Sequence, residues 1–114
     1  MSLRIPLSSP DIGPDERDLV MQVLNSPTLS IGPMIGTFER ELAERLGARA
    51  AVAVSSGTAG LHLALIAAGV ESGDSVVTSP FSFIASSNAI LYQNAKPLFV
   101  DIDPRTFAMD VDRT

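Results

Sequence analysis

Apolar residues recur along this chain with more than one spacing, and the spacing changes near residue 50. After an extended lead over Arg4 to Ser9, Leu19, Val20, Val23 and Leu24 fall at the intervals of one helix face. Gly13-Pro14 places proline at a first helical position, and Asp15 and Glu16 follow where the helix dipole favours acids. Pro27 is expected to stop this helix. A loop from Thr28 to Gly32 leads to Pro33 and a second helix. There Phe38, Leu42 and Leu46 are expected to form the buried stripe, and Gly47 supplies the stop.

From Ala51 the pattern is different. Ala51-Val52-Ala53-Val54 is a short unbroken apolar run, which predicts a strand buried on both faces. Ser55-Ser56-Gly57-Thr58 follows, then an apolar helix from about Ala59 to Ala68, closed by Gly69. A second strand, Ser75 to Thr78, passes through Ser79-Pro80 into a helix from about Phe83 to Gln93, with Asn94 in a left-handed cap. A third strand, Leu98 to Val100, ends in a turn at Asp101-Ile102-Asp103-Pro104. The fold class is therefore α/β, with three parallel strands joined by crossover helices. Such a sheet leaves two apolar edges, so residues 1–114 are expected to be the first portion of one larger domain. Alone, the chain is not expected to work as an enzyme.

Composition narrows the possible chemistry. With 114 residues and 46% apolar content the chain is long enough to form a core. A net charge of -5 without any cluster of Lys or Arg argues against nucleic acid as a partner. There is no cysteine and one histidine, which excludes disulfides and thiolate- or histidine-rich metal sites. No apolar run approaches the ~20 residues of a membrane span, and no signal-peptide pattern opens the chain. The default expectation is a soluble cytoplasmic protein.

Two loops carry candidate chemistry, and ligands of parallel sheets lie beyond the carboxyl ends of the strands. In the first, Ser55-Ser56-Gly57-Thr58, a strand leads through a glycine into a helix N-terminus. That geometry gathers free backbone N–H groups around an anion, although it also suits a plain helix cap. The second, Ser79-Pro80-Phe81-Ser82-Phe83, offers an aromatic that could stack on a planar ligand or serve as ordinary packing.

Together the two loops resemble those of the DegT/DnrJ/EryC1/StrS family of pyridoxal phosphate (PLP)-dependent sugar aminotransferases. The resemblance runs from Ile5-Pro6-Leu7 through Ser30-Ile31-Gly32-Pro33, Phe38-Glu39 and the stretch Val54 to Leu65. It continues over Gly73 to Val77 and Phe83 to Ile90, and closes on Pro97 to Asp103. It implies the large PLP-binding domain of the type I, aspartate-aminotransferase-like fold. Gly57, Thr58 and Ala59 would bind the PLP phosphate through backbone amides, and Phe83 rather than Phe81 would stack on the pyridine ring. Asn94 stands where the family usually has glycine, which concerns a helix cap and not the chemistry.

The resemblance places the Schiff-base lysine, the acid that meets the pyridine nitrogen and a further phosphate-binding serine beyond this chain. No catalytic residue is therefore assigned within it. Its one lysine, Lys96, precedes Pro97 at the amino end of the third strand, opposite the expected cofactor edge. Asp101 and Asp103 are accounted for by turn capping, and His62 as a packed or surface histidine. The implied whole is a homodimeric aminotransferase acting on nucleotide-linked keto sugars, with glutamate as donor. The alternatives are a dehydratase of the same family, or a non-catalytic fragment or interaction module.

Overall fold

A computed structural model describes residues 8–113, so the expected extended lead at Arg4 to Leu7 lies outside the described residues. The chain divides into two compact units, Met1–Ala53 and Val54–Thr114.

The first unit contains α1 (Pro14–Leu24) and α2 (Pro33–Leu46). Each begins with proline at its first position, where a missing N–H costs nothing. Glu16 adds to the start of α1, its carboxylate accepting the Gly13 N–H at 2.7 Å. At the other end of α2, Gly47 is left-handed (φ 63°), and the Ala48 N–H returns to the Ala43 carbonyl at 2.9 Å. The predicted buried stripe is not observed. Phe38 and Leu46 are exposed, and the buried residue of α2 is Ala43. A helix stripe is buried only where another element faces it, which helical spacing by itself does not supply.

The second unit runs α3 (Gly57–Ala67), β1 (Ser75–Thr78), α4 (Ala85–Tyr92), β2 (Lys96–Phe99) and a 3-10 turn at Val111–Arg113. β1 and β2 pair in parallel, from Ser75 opposite Lys96 to Thr78 opposite Phe99, with α4 as the crossover. Ladder bonds continue past both strand ends, from Lys96 N–H to the Asp74 carbonyl (2.7 Å) and from Val100 N–H to the Thr78 carbonyl (2.9 Å). α3 and α4 terminate as α2 does. Gly69 and Asn94 are left-handed, and the amides of Val70 and Ala95 return to Leu65 and Ile90. The buried residues of this unit are Ala85, Ser87, Ala89, Ile90 and Ala95. Ser87 is satisfied by donating its hydroxyl to the Ile84 carbonyl at 3.1 Å. α3 packs on α4, and at this contact His62 meets Tyr92 edge-on (centroids 5.4 Å) and hydrogen-bonds Gln93. That is the packing role expected of it. No helix among the described residues is long and apolar enough to cross a membrane.

The expected three strands are two. Ala51–Val54 carries no regular secondary structure and no ladder, because the described sheet consists of β1 and β2 alone. Its Ala53 N–H donates to the Glu39 carboxylate at 2.7 Å, and Val52 is exposed. A strand is defined by its neighbour's hydrogen bonds, which an apolar run does not itself supply. Boundaries also move: α3 starts two residues before the predicted Ala59, β2 starts at Lys96 instead of Leu98, and α4 starts at Ala85 instead of Phe83.

After β2 the chain turns back on itself, with Ile102 bridging Met109 in antiparallel fashion. Asp103 organises the turn. Its Oδ1 accepts the amides of Arg105 (2.7 Å) and Thr106 (3.2 Å), as expected of a turn cap. The Arg105 amide is the main reason its pKa lies below the ordinary 3.8. A lowered folded-state pKa means that this carboxylate's contribution is complete above the ordinary value. It is lost as the pH falls through the lowered one. A carboxyl-carbon NMR titration should place Asp103 below the ordinary aspartate value. Titration at or above that value would show that the turn does not hold the charged form.

Candidate functional site

Ser56 is extended (φ -164°, ψ 162°), which makes it an N-cap for α3. Its hydroxyl accepts the Ala59 N–H at 3.1 Å, and its carbonyl accepts the Gly60 N–H at 3.0 Å. Of the first helical amides, those of Gly57 and Thr58 find no acceptor among the described residues. Ala59, expected to supply a third free amide, has its N–H engaged by the cap. A Cβ built on Gly57 meets nothing within 4 Å, so the helix start is open to an incoming group. Two unengaged donors at the positive end of a helix dipole suit a phosphate.

The second loop lies at the carboxyl ends of β1 and β2. The Ser79 hydroxyl accepts the Phe81 N–H at 3.1 Å, and Ser82 and Ser86 share a 2.9 Å hydrogen bond. A shallow cleft of about 170 Å³ is lined here by Ser79, Ser82, Phe83, Ser86, Ser87 and Phe99. The two candidate phenylalanines differ. Phe81 stacks on Phe107 (centroids 5.8 Å, 26° between planes), whereas Phe83 is 77% exposed and has no ring partner among the described residues. The serine hydroxyls around Phe83 went unassigned from the sequence, although Ser82 and Ser86 stand one helical turn apart. Phe107 carried no sequence signal, since nothing local marks a phenylalanine as left-handed.

Lys96 opens β2 and is exposed at the amino end of the sheet, away from the loops after Thr78 and Phe99. Asp101 accepts the Ile102 amide at 2.8 Å and faces Arg113 at 3.9 Å, and is thus taken up by the hairpin. In the first unit, the loop after α1 borders a separate cleft of about 290 Å³, with Ile31 left-handed and exposed.

This arrangement is a parallel α/β scaffold, and comparison with known proteins defines its family. Residues 10–114 match the DegT/DnrJ/EryC1/StrS aminotransferase family, and the chain belongs to that family. It is 40% identical over 108 residues to GDP-perosamine synthase of Caulobacter vibrioides, covering 94% of this chain and 29% of that protein. Among solved structures it resembles Spr1654 of Streptococcus pneumoniae in its PLP form, with a TM-score of 0.86 and 36% identity over 95% of this chain and 28% of that one. It also resembles NtdA of Bacillus subtilis with bound PMP, with a TM-score of 0.78 and 35% identity over 90% of this chain and 24% of that one. These neighbours share the aspartate-aminotransferase-like fold, and the parallel α/β arrangement here is part of it. The chain spans between 27% and 30% of the length of the curated relatives it matches.

Proposed function

We propose that this chain is the N-terminal part of a PLP-dependent aminotransferase that moves an amino group from glutamate onto a nucleotide-linked keto sugar. The observation that carries the reading is the pair of acceptor-less amides at Gly57 and Thr58, at an open helix start in a chain that belongs to this family. The exposed Phe83 ring supports it from the neighbouring loop. In this reading Gly57 and Thr58 donate backbone N–H groups to the phosphate, and the Thr58 hydroxyl adds a third donor. Ser56 holds the first turn rigid through its bond to Ala59. Phe83 covers one face of the pyridine ring, excluding water and fixing the ring's tilt. PLP when bound supplies the electron sink for the transfer, while the protein supplies orientation and electrostatics. The nucleotide-sugar assignment is supported by the similarity to GDP-perosamine synthase.

The lysine that carries PLP is proposed to lie outside these 114 residues, because Lys96 stands at the wrong end of β2. The exposed apolar residues of α3, Leu61, Leu63 and Ile66, support burial in a larger domain and a homodimer. The test is to load the full-length protein with PLP, reduce it with borohydride and map the labelled lysine by mass spectrometry. One label is expected, on a lysine other than Lys96. The same preparation should transfer nitrogen from labelled glutamate to a nucleotide-linked keto sugar. Stoichiometric, fold-dependent labelling of Lys96 would sink the reading.

A further inference from the structure

Phe107 sits at φ 58°, a left-handed conformation that an aromatic residue rarely adopts. The turn dictates it. The Phe107 N–H donates to the Asp103 carbonyl at 2.8 Å, and the Asp103 N–H donates to the Ala108 carbonyl at 3.0 Å. The Thr106 hydroxyl accepts the Ala108 N–H at 3.3 Å. Glycine or asparagine would meet these demands with less strain. A phenylalanine held there against backbone preference calls for a gain elsewhere, and a contact of its ring supplies it. It stacks on Phe81, although both rings remain more than half exposed (61% and 64%), so the pair is not a core contact. Strain that is kept without burial points to a positional role.

Phe81 lies two residues before Phe83, in the loop after β1, and Phe107 lies in the hairpin after β2. We propose that Phe107 is a positioning residue. By stacking on Phe81 it ties the hairpin to the loop and holds that loop so that Phe83 presents its ring face to the cofactor. The presentation of Phe83 rests on the cofactor reading above; the tie itself does not.

The test uses the full-length protein with Phe107→Gly, Phe107→Tyr and Phe83→Ala. Phe107→Gly relaxes the backbone and removes the ring, so the Tm of the apo-protein should hold or rise. Its PLP affinity should nevertheless fall about three- to tenfold, the scale of one aromatic pair. Hydrogen exchange of the apo-protein should quicken over Ser82 to Ile84. Phe107→Tyr keeps the ring and should restore both affinity and slow exchange. Wild-type exchange in Phe107→Gly, or exchange as fast in Phe107→Tyr, overturns the tie. If Phe107→Gly loosens the loop while Phe83→Ala leaves PLP affinity unchanged, the tie stands and the cofactor reading falls. If Phe83→Ala weakens PLP but Phe107→Gly does not, the cofactor reading stands and the positioning role falls.

Discussion

Gly57→Pro is expected to weaken PLP binding by about ten- to a hundredfold while leaving the stability of the apo-protein nearly unchanged. Gly57 is the first residue of α3, a position where proline's fixed φ is already helical and its missing N–H breaks no helix bond. The residue before a proline must be extended, and Ser56 is so already. No neighbour lies within 4 Å of a Cβ at this position. The protein therefore has no partner to lose, and the substitution removes a donor that only a ligand could use. A hydrogen bond to a charged group contributes roughly 1.5–3 kcal/mol, which sets the expected loss. Calorimetric unfolding of the apo-protein and fluorescence titration with PLP separate the two effects. Unchanged PLP affinity in a folded Gly57→Pro protein would mean that the phosphate lies elsewhere.

Phe83→Ala should also loosen PLP by about ten- to a hundredfold, since a stacked ring adds ~0.5–1.5 kcal/mol to the area it buries on the ligand. At 77% exposure the ring supports little of the apo fold, so the unfolding midpoint should move by less than the binding constant implies. Phe81→Ala should cost less, acting only through the loop that its stack on Phe107 steadies. The cofactor's induced circular dichroism should change sharply for Phe83→Ala and weakly for Phe81→Ala, because the first removes the ring at the chromophore. A loss from Phe81→Ala equal to or greater than that from Phe83→Ala would show that the wrong phenylalanine has been placed on the ring.

Much of the fold was legible from residues with narrow backbone preferences. Pro14 and Pro33 marked two helix starts, and Gly47, Gly69 and Asn94 marked three left-handed ends, each observed with its returning amide. The parallel pairing of Ser75–Thr78 with the strand after α4 followed from the strand-helix-strand order, and with it the placing of Lys96 at the amino end. The family was legible for the same reason: ordered short segments record local geometry and spacing, which the chain carries in itself.

What faces what was decided by tertiary structure. Ala51–Val54 has the composition of a buried strand and no ladder, because pairing needs a second strand that an apolar run cannot specify. Phe38 and Leu46 keep helical spacing yet stay exposed, because burial belongs to a pair of surfaces. Phe81 and Phe83 are equivalent as letters two positions apart. Phe107, 26 positions beyond Phe81, occupies one ring and leaves the other open. The Ala59 amide looked as available as those of Gly57 and Thr58 until the Ser56 rotamer took it. By itself the sequence determined where the backbone turns and which family it serves. A local cap settled which donors remained free, while contacts between residues far apart along the chain determined which rings did, since each such contact depends on where a second segment lies.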